Sequence, residues 1–573
     1  MIDINFLREQ IIGRNSYFQT PYGERLITYA DYTASGRTME FIEKYLLKIQ
    51  ESYANTHTED DETGKNMTRL LHKAVQTIKE TVNGVDNCYV IPAGTGATGA
   101  IAKLNDILGL TIPPVTKNRI NKMISEFNEK HPEDQGTIVE LIKYIESKKP
   151  VVFIGPYEHH SNELMWRENL AEVIEISLSE DGTIDLDDLQ RKVSDTKYKD
   201  RFKIGSFSAA SNVTGTIAQT YEIAKILHKN NAIACFDFAA SAPYVEINMN
   251  KDEESYYDAV FISPHKFLGG PGSSGVLIIN KRLYNKSLPP TLAGGGTVDY
   301  VSSHGYDFIK SVEEREMAGT PGILQIIKAA LAIELKDAVG IDKIEKIERE
   351  YVKRAIDRLS KNPNIEILGT KDYEKRIGIF SFLIKYKDRY LHPRLGTRLL
   401  NDLFGIQSRA GCACAGPYGH KLLDIDSSLS KKFRKVIKDG YKALKPGWLR
   451  INFHYIINEE EFQFLLNAIE FIANYGYLFI SQYSLDIHTG MWTHKGTTES
   501  NIYEHEFGIE KIMGMNLNDV FSNIDVNRAE LYTEYLQKAD EIVKVLKQTH
   551  KDHYSELPNQ ELESLSWFYY VNG

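Results

Sequence analysis

One stretch of the chain narrows the choice of fold more than any other. The apolar run Ala259-Val260-Phe261-Ile262 leads through Ser263-Pro264-His265 to a single lysine, Lys266, and on into the glycine-rich turn Gly269-Gly270-Pro271-Gly272. A second apolar run, Gly275-Val276-Leu277-Ile278-Ile279, follows at once. Short apolar runs bounded by turn residues read as buried strands. A lysine between two of them can snorkel its charge out at a strand end. It can also be held desolvated, which lowers its basicity and makes the amine a nucleophile fit for a Schiff base.

The same pattern of apolar strand and polar turn recurs upstream. Residues 26–37 read as a short strand entering the small-residue turn Asp31-Tyr32-Thr33-Ala34-Ser35-Gly36. The run Asn87-Cys88-Tyr89-Val90-Ile91 enters Ala93-Gly94-Thr95-Gly96-Ala97-Thr98-Gly99, and a helix follows. Such a turn offers bare backbone N–H groups and the positive end of a helix to a phosphate. It lacks the Lys-Ser/Thr of a P-loop. Its glycine spacing also suits a dinucleotide-binding turn, although no acidic residue is placed for a ribose. Val151-Val152-Phe153-Ile154 ends in Glu158-His159-His160-Ser161-Asn162, where a metal site would need a third ligand that the sequence does not place. The strand from Ile204 leads to Ser211-Asn212-Val213-Thr214-Gly215, and the run Ala232–Phe236 ends on Asp237. A carboxylate there must find a partner or cap a helix.

Further on, the spacing predicts one long helix from about 322 to 358 and an α+β region over 365–480. The turn Ser408–Pro417 carries Arg409, Cys412 and Cys414. The strand from Trp448 alternates, which puts Trp448, Arg450, Asn452 and His454 on one face. Residues 110–149 read as an inserted helical hairpin with apolar faces Ile120, Met123, Ile124, Phe127 and Ile138, Leu141, Ile142, Ile145. Beyond about 485 the chain turns polar, with one amphipathic helix marked by Tyr532, Leu536, Ala539, Val543 and Leu546.

The 573 residues exceed one small domain, and a net charge of -10 does not suggest a nucleic-acid surface. Four cysteines are too few for a disulfide framework, so a reduced, cytoplasmic setting is expected. Met1–Gln10 has no apolar core of a signal peptide, and Tyr570–Gly573 no prenylation box. No run approaches the ~18 apolar residues of a membrane helix.

A phosphate turn, a histidine, an asparagine, an aspartate and a lysine thus follow in order at the carboxyl ends of strands, where open α/β sheets bind ligands. Pyridoxal phosphate (PLP) chemistry needs such a set: a lysine to hold the aldehyde and a carboxylate to keep the ring nitrogen protonated. From about residue 25 to 475 the chain resembles the class V aminotransferases among fold-type I PLP enzymes, and within them the cysteine desulfurases and selenocysteine lyases. Ser263-Pro264-His265-Lys266 is similar to that group's Ser-x-His-Lys. The resemblance makes Lys266 the Schiff-base lysine, with Ser263, His265, Thr95 and Gly96 near the phosphate. It makes Asp237 the partner of the ring nitrogen, His159 the ring-stacking histidine, and Asn212 the asparagine beside the ring hydroxyl and substrate carboxylate. Thr320 matches a threonine reaching the phosphate from the other subunit, which implies a homodimer. Arg450 matches the arginine that grips the substrate carboxylate.

Arg409-x-Gly411-x-x-Cys414-Ala415 resembles the desulfurase signature and implies Cys414 as the nucleophile that takes sulfur from cysteine as a persulfide, leaving alanine. A neighbouring guanidinium favours a thiolate. Class V aminotransferases and lyases share the other motifs. Two departures stand out: the group's Asp-x-Ala-Gln reads Asp237-Phe238-Ala239-Ala240, and its His-His before the cysteine reads Cys412-Ala413. Cys412 could receive the sulfur, trap Cys414 as a disulfide, or join a zinc site with His420.

The expected architecture is therefore α/β. A PLP-binding large domain spans 25–330, with a mixed, mostly parallel sheet between helices. A smaller α+β domain spans 331–484 and is joined by an N-terminal segment, 1–24; 485–573 forms a C-terminal appendage. Expected partners are a small amino acid like L-cysteine, a sulfur-acceptor protein and a second copy of the chain. Nucleic acid, membrane and a resident metal are not expected.

Overall fold

The computed structural model describes residues 2–56, 58, 60–411, 414–496, 506–514, 526–550 and 554–571. The chain divides into two compact units. One comprises Lys44–Ser211 and Thr216–Ile341; the other comprises Met1–Glu43, Asn212–Gly215 and Asp342–Gly573.

The first unit is built on a seven-stranded sheet. Its strands are β1 (Cys88–Pro92), β2 (Val151–Ile154), β3 (Glu172–Glu175), β4 (Lys203–Ser208), β5 (Ala232–Asp237), β6 (Ala259–Ile262) and β7 (Val276–Asn280), in the spatial order β1-β7-β6-β5-β4-β2-β3. The contiguous strands β6, β5, β4, β2 and β3 pair in parallel, and β7 alone runs antiparallel, between β1 and β6. The mixed, mostly parallel sheet read from sequence is thus present.

Strands β2, β4, β5 and β6 are buried at every residue, as a sheet covered on both faces requires. On one face Ile91, Ile154, Ile204, Cys235, Phe261 and Leu277 pack with Ala100, Ile101 and Leu104 of helix Ala97–Ile107. The turns named from sequence leave the carboxyl ends of β1, β2, β4, β5 and β6, the edge at which such sheets bind ligands.

Two readings change in detail. The helix expected over 322–358 is two helices, Ile323–Val339 and Ile341–Leu359. Gly340 parts them at φ +96°, a conformation glycine adopts without steric cost. The insertion does form a helical pair, Pro114–Lys130 and Gln135–Lys148, but no side chain of the first helix is buried.

The second unit carries an antiparallel sheet of β8 (Ile365–Ile367), β9 (Ile379–Tyr386), β10 (Arg409–Gly411) and β11 (Trp448–Asn452), in the order β8-β9-β11-β10. Helix Glu459–Tyr475 starts at a capping box between Asn458 and Glu461. It buries Phe462, Phe464, Leu465 and Ile469. Together with the turn that follows, Glu459–Gln482 is by length and average composition apolar enough to cross a membrane, but Asn467, Glu470 and Asn474 interrupt it, and most of it is buried in the protein. The amphipathic helix read near the C-terminus is Arg528–Thr549. Tyr532 stacks on Phe464 at 3.9 Å, and the Tyr535 hydroxyl accepts the Leu26 N–H at 3.0 Å. Leu557, Leu562, Leu565 and Phe568 join a core with Phe433, Val436 and Leu444. Helix Arg528–Thr549 and the segment 557–568 are therefore built into this unit, while Ile509–Met513 buries no side chain.

Candidate active site

In the seven-stranded unit, the turn after β1 is closed by its neighbours. A side chain on Gly275 would put its Cβ 2.3 Å from the Gly96 carbonyl oxygen, so only glycine lets the two backbones meet. Helix Ala97–Ile107 begins after Gly96 with no side-chain cap, and the Ala97 N–H donates to Ser263 Oγ at 2.9 Å. His265 Nδ1 lies 3.0 Å from the Thr95 carbonyl oxygen; a carbonyl only accepts, so this nitrogen carries the proton. Burial, with the Lys266 charge beside it, lowers the His265 pKa. Thr95, His265 and Thr320 line one open cavity of about 910 Å³, and Thr320 Oγ1 accepts from Asn55 Nδ2 at 3.3 Å.

Lys266 ends the short 3₁₀ turn Pro264–Lys266 that follows β6. Asp237, the last residue of β5, is buried and accepts the Ala239 N–H at 2.9 Å. Burial raises its pKa, while that N–H and the Lys266 charge pull it down. A buried carboxylate in this state is stabilised by a cationic partner. His159 follows β2 and accepts the Ser161 N–H at Nδ1 (3.2 Å), while Ser161 Oγ lies 2.7 Å from Thr98 Oγ1. An uncapped helix start, hydroxyls beside it, an amine and a buried carboxyl are the donor set that a phosphorylated pyridine aldehyde requires, so these residues fit PLP.

Glu158 precedes His159 in the same turn, and no motif in the sequence marks it. It is buried, and its carboxylate accepts from Gly155 N–H (3.1 Å), Ser208 N–H (2.9 Å), Ser208 Oγ (2.6 Å) and Asn162 Nδ2 (2.6 Å). The Asn162 side-chain oxygen in turn accepts from Trp166 and Ser206. This network ties the His159 turn to the end of β4. Burial pushes Glu158 up to about 7, against the pull of the Ser208 and Asn162 donors. A carboxylate just past an apolar strand, the signal that singled out Asp237, would have found it.

The other unit holds Asn212, Arg409, Cys414 and Arg450. The short strand Thr28–Tyr29 pairs in parallel with Ile406–Gln407, Tyr29 opposite Gln407, so Asp31 and Arg409 lie two residues beyond that pair on each side. In the antiparallel pair β10–β11, Arg409 stands directly opposite Arg450. Asp31 bridges both: Oδ2 accepts from Arg409 Nε at 2.9 Å and Oδ1 from Arg450 Nη2 at 3.1 Å. Arg450 Nη1 also donates to the Asn212 carbonyl at 3.0 Å. Arg450 is buried, whereas the Arg409 side chain is 53% exposed. Burial lowers the Arg450 pKa, opposed by Asp31. Cys414 is exposed and has φ +56°, in the left-handed region. Cys412 lies outside the described residues.

The aminotransferase class V family profile matches residues 137–465. A probable cysteine desulfurase of Halalkalibacterium halodurans is 33% identical over 301 residues, 52% of this chain and 69% of that protein. One from Pyrococcus abyssi is 32% identical over 319 residues, 54% of this chain and 75% of that protein. Among solved structures, the apo cysteine desulfurase of Thermococcus onnurineus superposes with a TM-score of 0.63 at 23% identity, covering 83% of this chain and 99% of that one. The cysteine desulfurase CsdA of Escherichia coli gives 0.59 at 19% identity, covering 82% and 98%.

Proposed function

The chain belongs to the class V aminotransferase family, and from that premise we propose that it is a PLP-dependent cysteine desulfurase, removing sulfur or selenium from cysteine or selenocysteine and releasing alanine. The observation that carries this reading is Arg409-x-Gly411-x-x-Cys414-Ala415, with its thiol exposed. A left-handed backbone at a non-glycine residue costs about 1–2 kcal/mol and is a strain that functional positions tolerate.

Bound PLP would supply an electron sink for charge withdrawn from the substrate carbon. Lys266 would hold the cofactor covalently and, once displaced, carry a proton at Nζ. Thr95, Gly96, Ser263 and His265 would hold the phosphate, joined by Thr320 of a second copy in a homodimer. Asp237 would keep a proton on the ring nitrogen, and His159 would lie against the ring. Asn212, Arg409 and Arg450 would orient the substrate carboxylate. The Cys414 thiolate would attack the substrate sulfur: a sulfur–sulfur bond forms, the carbon–sulfur bond breaks, and its electron pair stays with the carbon, which takes up a proton. The persulfide then passes to an acceptor protein in the cytoplasm.

One observation favours a second reading, a class V aminotransferase or lyase acting on another small amino acid: Ala240 stands where the desulfurases carry glutamine. The deciding experiment assays alanine and sulfide from cysteine beside amino transfer to a keto acid, in wild type, Cys414→Ala and Cys412→Ala. Cys414→Ala should lose both alanine and protein-bound persulfide, and Cys412→Ala should keep alanine. If Cys412→Ala alone lost alanine, the nucleophile would be Cys412. If neither change mattered, the second reading would replace the first.

A further inference from the structure

Resting on the reading of Arg450 as the residue that takes the substrate carboxylate, we propose that Asp31 sets the charge of that site and so selects amino acids with uncharged side chains against those with a second negative charge.

The argument starts from register. Arg409 and Arg450 are directly opposed on adjacent antiparallel strands, where like charges repel. Asp31 places one carboxylate oxygen on each guanidinium. Taken by themselves, Arg409, Arg450 and Asp31 sum to a single positive charge. That charge matches one α-carboxylate and leaves nothing for a second. Arg37 stands outside this hydrogen-bonded cluster: it donates to the Ile12 carbonyl oxygen and lies over the Tyr29 ring at 5.2 Å.

Arg450 is also not saturated by Asp31 and Asn212. Its Nε is buried with no hydrogen-bond partner among the described residues. A buried guanidinium N–H left without an acceptor is costly, and a bound carboxylate would supply one. Asp31 therefore holds the fork of Arg450 from one side and leaves donors for the substrate. A second anionic group would meet the Asp31 carboxylate, and repulsion at such distances in a partly buried site is strong enough to set a preference of about tenfold or more.

The test titrates the PLP-loaded protein with L-alanine and with L-aspartate, following the visible absorbance of the cofactor, so that it needs no turnover. Wild type should bind alanine more tightly. Asp31→Asn, with a site charge of plus two, should cut the alanine-over-aspartate preference about tenfold. Arg409→Gln leaves a site charge of zero and should raise that preference while weakening alanine; it carries the test should Asp31→Asn fail to fold. The double variant, Asp31→Asn with Arg409→Gln, restores plus one and should restore the wild-type preference, an outcome that a merely structural Asp31 would not produce. A preference unchanged in Asp31→Asn, or in Arg409→Gln if only that variant folds, overturns the inference. Arg450→Gln separates the premise from the inference: if it leaves alanine binding intact, the carboxylate role of Arg450 falls and the inference with it. If it weakens alanine binding while Asp31→Asn keeps its preference, the inference alone falls.

Discussion

Arg409 and Arg450 face each other across two adjacent antiparallel strands, and the carboxylate of Asp31 bridges the two guanidinium groups. Removing one member of a buried charge cluster costs several kcal/mol because the rest is left uncompensated. Arg409 is half exposed, which moderates the loss. Asp31→Ala should therefore destabilise the protein by about 3 kcal/mol in urea unfolding. Adding Arg409→Gln to it should recover up to about 1 kcal/mol by removing the repulsion. A double variant no more stable than Asp31→Ala would refute the repulsive pairing.

Glu158 makes stability depend on pH. Its carboxyl is raised from 4.5 to about 7 by burial, so between these values the folded protein binds more protons than the unfolded chain. The stability it contributes is full below 4.5 and is lost as the pH rises through about 7. Glu158→Gln should flatten the dependence of Tm on pH across that window. It should also lower Tm at pH 5, because the new amide N–H groups face the Asn162 and Ser208 donors. An unchanged pH slope would show that Glu158 does not titrate there.

Gly275→Ala tests the cradle. Its methyl group would overlap the Gly96 carbonyl oxygen at 2.3 Å, and the backbone of the turn must yield. Overpacking of this kind costs about 1–3 kcal/mol. If the turn holds the phosphate, PLP affinity, read by fluorescence of the cofactor, should fall at least tenfold. Loss of stability with unchanged PLP affinity would remove the turn from the phosphate site.

Lys266→Ala should abolish the visible absorption band of covalently held PLP and all alanine release, while leaving the urea midpoint of the cofactor-free protein close to that of wild type. A band that persisted would mean another lysine holds the cofactor.

The sequence alone determined the parts whose information is local. Strand β6 with Lys266, the glycine turn after β1, Asp237 at the end of β5, and the amphipathic helix with Tyr532 are each legible because apolar periodicity and turn residues act over a few positions. The order of these segments was enough to draw a parallel sheet with one ligand edge.

Only the tertiary structure decided the rest. That Arg409 opposes Arg450 depends on the register of β10 against β11, and that Asp31 reaches both depends on pairing across nearly four hundred residues. Glu158 takes donors from its own turn, Gly155 and Asn162, and from Ser208, which no spacing rule connects to it. The polar tail gave no hint that Tyr532 would stack on Phe464. Register, bridging charge and the packing of a tail are set by which distant surfaces meet, and that is a property of the folded chain rather than of any window within it.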